Sequence, residues 1–129
     1  MTSAAFNAAL VDRVALAPVA ARTSTLTGAA LDLLLYDGLG EIVLHGLRTT
    51  GDLTPTIEDS ADGSTGFAVI ATSALSSAFT AITTGTDFIQ ARTLDVAIVK
   101  RFIRFIGTAA NTPSHTYGAT FGGMKKYRP

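Results

Sequence analysis

Short runs of β-forming residues, separated by turn sequences, follow one another along most of this chain. The turns recur about every 8–12 residues, which is the spacing of an all-β sandwich or barrel. The pattern predicts an all-β fold, an antiparallel β-sandwich or jelly-roll-like domain of about eight short strands. The predicted strands cover residues 31–36, 42–47, 53–58, 67–70, 78–83, 87–92, 100–107 and 114–121.

Two of these runs differ in their polarity pattern. "LTPTIED" alternates strictly, placing Leu53, Pro55 and Ile57 on one face, as in a half-buried strand. Pro55 has no N–H to donate, so it is expected at an edge or a bulge. The run from Ile42 to Leu47 is apolar on both faces, which predicts a strand covered on both sides. "DGLG" at 37–40 precedes it and is interpreted as a turn.

The segment "KRFIRFIG" (100–107) is ambiguous, because apolar residues also occur at helical spacing around it. Its isoleucines are β-branched and favour a strand. Alternation then predicts that Ile103 and Phe105 point inward. Phe102, Arg104 and Ile106 would lie on the opposite face.

One domain is expected over residues 1–129, since this length suits a single core. Residues 1–25 are interpreted as an N-terminal arm with a first extended segment, because the first ten fit no strand pattern. Residues 122–129, "GGMKKYRP", are interpreted as a glycine hinge and a basic C-terminal tail.

Composition narrows the functional classes. The formal net charge is zero, so no general attraction to nucleic acid or an anionic membrane is expected. The chain contains no cysteine, which excludes disulfides and thiolate zinc sites. Its longest apolar run, "FAVIA" at 67–71, is too short to span a bilayer. Only 16% of the residues are charged, so we expect much of the surface either to consist of Thr, Ser, Ala and Gly or to be buried against a partner.

The acidic loop within "PTIEDSADGSTGF" (55–67) is the segment that looks most like a site. An EF-hand with its glycine at Gly63 would begin at Glu58 and place Val69 where a bidentate glutamate is required, so an EF-hand is rejected. A tight turn at 58–63 is the favoured interpretation, with a weak cation site as the alternative. His45 and His115 have no partner at catalytic spacing, and no nucleophile or phosphate motif occurs. Neither an enzyme nor a cofactor is expected.

A β-run, then "EDSADGSTGFAVI", then "KRFIRFIGT" together resemble small structural proteins of tailed bacteriophages that are encoded near the major capsid protein. In those proteins an "ESDDGSTF"-like hairpin is followed by a "KRYVRV"-like strand. Members are small β-sandwich or jelly-roll proteins, and several are head decoration (cement) proteins. The resemblance covers residues 31–121. The linker "RTLDVAIV" is more apolar than usual, and the first thirty residues match nothing in the family.

The resemblance implies a decoration protein on the outer surface of the virion, made in the host cytoplasm. It would bridge major capsid subunits and associate with itself as a dimer or trimer, without binding nucleic acid or membrane. The alternatives are a phage neck or tail protein of similar fold and a carbohydrate-binding β-sandwich module. The residues expected to contact the capsid lie in the two ends and on the second face of "KRFIRFIG". They are Phe6, Phe102, Arg104, Met124, Lys125, Lys126, Tyr127 and Arg128.

Overall fold

The computed structural model describes residues 11–126, which form seven strands and one short 3-10 helix at Thr72–Ala74. The strands are β1 (Val11–Arg22), β2 (Leu26–Thr27), β3 (Leu31–Asp32), β4 (Tyr36–Ser60), β5 (Ala68–Val69), β6 (Asp87–Asp95) and β7 (Phe102–Lys125). Within this part of the chain, no helix is long and apolar enough to cross a membrane.

The seven strands form a single antiparallel sheet, which confirms the predicted all-β antiparallel class. β4 and β7 pair with each other along almost their whole lengths and form its centre. β5 and β6 pair with β4, whereas β1, β2 and β3 pair with β7. The fold is therefore organised around two long central strands.

The sheet is bent so that its two halves face each other. Residues 105 and 117 of one straight strand would lie about 40 Å apart, yet the ring centroids of Phe105 and Tyr117 in β7 are separated by 6.0 Å. The pairing of β4 with β7 shifts register at the bend, between residues 48 and 52. Three residues there have positive φ: Gly51, Asn111 and Thr112.

The bend divides the sheet into two half-sheets. The first half-sheet contains β1, β6 and residues 36–50 and 114–125 of the central strands. The second contains β2, β3, β5 and residues 52–60 and 102–110. A separate second sheet, as in a sandwich of two sheets, does not occur in the described residues; one bent sheet encloses the core instead.

The core lies between the half-sheets and contains side chains from both. Its largest fully buried apolar side chains are Tyr117, Phe105, Phe121, Leu16, Ile42, Leu44, Leu53, Ile57, Leu94 and Ile103. The segment from 70 to 82 closes one open side, where Ile82 pairs with Leu53 of β4 and Leu75 pairs with Leu94 of β6.

The predicted inward faces are confirmed. Ile103 and Phe105 are fully buried, and Phe102 is half-buried. Leu53 and Ile57 are also buried. On the side of β4 that faces away from β7, Leu53 forms backbone hydrogen bonds with Ile82, and the Ile57 carbonyl accepts one from Ile70 N–H. Pro55 lies between these two positions and has no backbone partner on that side among the described residues. Proline is tolerated there since no partner needs its missing N–H.

The predicted strand boundaries are wrong at five places. Runs 42–47 and 53–58 are parts of the 25-residue β4. Residues 102–107 of the run 100–107, and the whole run 114–121, are parts of the 24-residue β7. "DGLG" is an irregularity inside β4, where Gly38 has a φ of 69°. A glycine with positive φ can make a bulge as well as a turn. Of residues 78–83, only Ile82 makes a bridge, and β3 ends at Asp32.

Strands extend into both predicted end segments. β1 already begins at Val11 and pairs with the end of β7, with Val11 opposite Met124. Gly122 and Gly123 belong to β7 and are not a hinge. A Cβ atom at Gly123 would lie 2.6 Å from the Phe121 ring and 2.9 Å from the Tyr36 ring, so the glycine serves close packing.

Candidate docking site

The acidic loop is a tight turn held by its own side chains. The Asp62 carboxylate accepts hydrogen bonds from Ser64 N (2.9 Å), Thr65 N (2.8 Å) and Thr65 Oγ1 (2.7 Å). These bonds, led by the one from the Thr65 hydroxyl, lower the pKa of Asp62. Gly63 has a φ of 79°, which glycine adopts without strain. The geometry supports the turn interpretation, and no cluster of three ligating side chains occurs among residues 11–126.

The two histidines lie on opposite sides of the first half-sheet. His45 follows the buried Leu44 and points away from the core, half-buried. His115 is 3% exposed, and its ring centroid lies 6.5 Å from that of Tyr117. Burial, with a smaller contribution from the Arg48 charge, lowers the pKa of His115. The structure therefore does not bring the two imidazoles into one site.

A different feature stands out at the end of the molecule opposite the bend. There β4 begins, β6 ends, β7 begins and ends, and β1 begins. The loops at this end surround a cavity of about 320 Å³. It is lined by Leu33, Leu34, Tyr36, Asp37, Val96, Ala97, Val99, Lys100, Arg101 and Lys126. Because these residues come from separate segments, the fold alone creates this surface.

Five large apolar side chains are exposed at this end, and we call this group the apolar end. They are Leu34 (52% exposed), Leu35 (55%), Leu39 (62%), Ile98 (47%) and Met124 (38%). Leu39 and Met124 also flank a second cavity of about 230 Å³ over glycines 40, 122 and 123. Exposed apolar patches are typical of interaction sites on proteins, so the apolar end is a candidate docking surface.

Charged side chains of both signs line the larger cavity at the apolar end, and Asp37 is the acidic one. Lys100 and Lys126 line the larger cavity together with Arg101. Arg101 forms a bidentate ion pair with Asp32, with distances of 2.9 and 2.7 Å. The Arg101 guanidinium also lies 5.0 Å from the centre of the Phe102 ring. This pair fixes the start of β7 against β3 and shapes one wall of the cavity.

The predicted contact residues divide into three groups. Met124, Lys125 and Lys126 lie together at the apolar end. Arg104 lies on the outside of the second half-sheet, 2.7 Å from Glu58 and 3.8 Å from the Phe67 ring centre, and half-buried Phe102 begins the same strand. Phe6, Tyr127 and Arg128 are outside the described residues. Sequence reasoning missed the exposed Leu34, Leu35, Leu39 and Ile98. Within an apolar run, the residues that remain exposed have the same local sequence pattern as those that are buried.

Comparison with known proteins identifies a fold likeness. No protein-family model matches the chain, and a search of curated proteins finds no match. A chain in a structure of infectious bursal disease virus, Gx strain, matches with a TM-score of 0.51 and 14% identity. The match covers 92% of this chain and 34% of the other, so this chain spans about a third of the length of that protein. At this identity the likeness concerns the fold, a β-rich architecture also used in a virus protein.

Proposed function

We propose that this chain is a non-enzymatic structural protein of a virus particle, attached to the outside of a tailed-phage head. It binds major capsid subunits and bridges them, which stabilises the shell against the pressure of packed DNA. The observation that carries this proposal is the apolar end, where five exposed apolar side chains surround the points at which both chain ends leave the sheet.

The chain ends strengthen this contact. β1 begins at Val11, opposite Met124, and β7 ends at Lys125 at the same end. The first ten residues contain no charged side chain, and the last three include Tyr127 and Arg128. A rigid apolar surface with two attached segments offers several contacts at once, and linked contacts raise overall affinity without a stronger single contact. That property suits a clamp across neighbouring subunits.

Two further observations support a viral role. The fold is similar to that of a chain from a virus structure over 92% of this protein. The two segments that resemble phage decoration proteins, the acidic turn and the "KRFIRFIG" strand, adjoin in the structure, since Gly63 packs against the Phe102 ring. The resemblance therefore rests on parts that contact each other in the fold.

The proposal is tested by adding purified protein to undecorated phage heads and counting bound copies per major capsid subunit. The wild-type protein should approach the copy number of the shell subunit. The double substitution Leu35→Asp and Ile98→Asp should reduce occupancy at least tenfold, because it places charges in the apolar contact. Thr84→Asp, which adds a charge in a loop near the bend, is the control and should bind normally.

Binding in only a few copies per particle would favour a neck or tail protein instead. Normal occupancy by the double variant, with fold verified by circular dichroism, would show that the apolar end is not the contact.

A further inference from the structure

The first half-sheet has a second surface that the proposed function does not use. Directly opposite residues of an antiparallel pair lie on the same face, and Ile42 and Leu44 point into the core. The residues between them therefore point outward, with their partners on the neighbouring strands. This outer face contains Val43, His45 and Leu47 of β4, Ile89 and Ala91 of β6, Thr116, Gly118 and Thr120 of β7, and Ala15 and Ala21 of β1.

The outer face is apolar and accessible. Ile89 is 75% exposed, more than any other large apolar side chain in residues 12–126, and Leu47 is 54% exposed. Val19 of β1, which lies over Gly118, is 61% exposed. Charged groups of the described residues occur only at the two ends of the face: Arg13 and Glu41 at one end, Asp87 at the other.

The face has a raised side and a low side. Its β4 column presents Glu41, Val43, His45 and Leu47. The adjacent β7 column presents Gly122, Thr120, Gly118 and Thr116, which are glycines and small threonines at the same four levels. A cavity of about 470 Å³ lies beside His45, Leu47 and Ile89 and forms a further depression in this face. A ridge therefore runs parallel to a trough along the strands.

We propose that the outer face binds a second copy of this chain about a two-fold axis parallel to the strands, between β4 and β7. This symmetry places β4 of each copy over β7 of the other, so that each ridge enters a trough. Ile89 of one copy then meets the Val19 region of the other. Packed sheets keep their strands within about 30° of each other, which this axis permits.

Arg13 and Glu41, at one end of the outer face, also favour this axis. The Arg13 side chain lies over Gly122, since a Cβ atom there would be 3.1 Å from Arg13 Nη1. The axis places Gly122 beneath Glu41 of the second copy. Arg13 of each copy therefore meets Glu41 of the other, which adds two ion pairs at the rim and favours this orientation. A partner without the same paired columns would not reproduce this match.

The available area is near the lower limit for a specific interface, where weak and transient contacts are found. Four strands spaced about 4.8 Å apart and about 24 Å long give roughly 450 Å² of flat surface per copy, and side chains add to it. Two such faces bury roughly 1,000 Å² or somewhat more, the lower limit for a specific interface. We therefore expect a dimer that dissociates in the micromolar range.

Sedimentation equilibrium of the full chain, without particles, tests this inference independently of the proposed function. The wild-type protein should show a monomer–dimer equilibrium. Ile89→Lys and Leu47→Lys should each weaken dimerisation about tenfold or more, because the lysine would be desolvated against an apolar surface. Val69→Lys is the matched control: Val69 is 65% exposed on the second half-sheet, and its substitution should leave the equilibrium unchanged.

Cross-linking tests the axis itself. The native chain has no cysteine, so Thr120→Cys places one thiol per copy beside the proposed axis. A short bismaleimide should link this variant into dimers in high yield, whereas Val69→Cys should remain monomeric. A monomer at about 100 μM, unchanged assembly of the lysine variants, or equal cross-linking at both positions would each overturn the proposal.

Discussion

At the residue scale, a few buried aromatic side chains join the two half-sheets. Phe105 is fully buried and contacts Tyr117 across the core. Phe105→Ala should lower the free energy of unfolding by about 3–5 kcal/mol, because it leaves a cavity between the halves. Phe102→Ala should cost less, since Phe102 is half-buried against Gly63 and Arg101. Urea denaturation of both variants measures the difference, and equal losses would contradict the assigned faces of β7.

His115 should make stability depend on pH. Its pKa is lowered in the folded state, chiefly by burial and further by Arg48 of β4, with Asp52 opposing. The unfolded chain therefore binds a proton more readily. Stability should be unaffected by this group above about pH 6.5, the unfolded value, and should fall as the pH decreases from there towards the lower folded value.

Thermal unfolding of the wild type and His115→Gln between pH 5 and 8 measures this effect. The variant should lose most of the decline below about pH 6.5. Two other atoms near His115, Tyr117 OH and Arg22 Nε, are buried without a hydrogen-bond partner, as is His115 Nε2. An unchanged pH profile in His115→Gln would assign the decline to other groups.

At the scale of elements, the bend in β4 and β7 decides the architecture. Gly51 has a φ of 79°, and a Cβ atom there would lie 2.5 Å from Pro113 Cα and 2.8 Å from Ala110 O. Gly85 has a similar φ of 76° but open space around it. Gly85→Ala should therefore lower the free energy of unfolding by only about 1–2 kcal/mol, the cost of holding an alanine in the left-handed conformation. Gly51→Ala should lower the free energy of unfolding by about 1–3 kcal/mol more than Gly85→Ala does, because the backbone atoms of β7 next to the new methyl group must move.

Chemical denaturation of the two glycine variants tests whether close packing at the bend matters beyond backbone conformation. If the two variants lose similar amounts of unfolding free energy, β7 can move away from Gly51 at little cost and the prediction is wrong.

At the scale of the whole molecule, the chain ends can be separated from the folded sheet. β1 begins at Val11 and β7 ends at Lys125, so deletion of residues 1–10 or 127–129 should preserve the fold. Each deletion should reduce occupancy on undecorated heads, because a linked contact is lost. Particle binding followed by copy counting measures this. Full occupancy by both truncated proteins would assign the contact to the apolar end alone.

The alternation in the sequence was enough to predict the buried face of two strands, whereas the run 42–47, expected to be covered on both sides, is covered on only one. The alternation around Leu53 and Ile57, and around Ile103 and Phe105, predicted their inward faces correctly. It also placed Pro55 at a strand edge. These features depend on a period of two and on the covalent structure of proline, which are local properties of the chain. The turn at Asp62 was predictable for the same reason, since its bonds join residues at most three apart.

Tertiary structure alone decided how the strands join and which apolar residues stay exposed. Two pairs of predicted strands became single long strands, because a bulge and a turn have the same local composition but differ in the pairing beyond them. Leu44 and Leu47 belong to one apolar run, yet Leu44 is fully buried and Leu47 is 54% exposed. The opposite half-sheet covers only one face of β4. Since that half-sheet comes from distant residues, no local pattern distinguishes the covered side chains from those available to a partner.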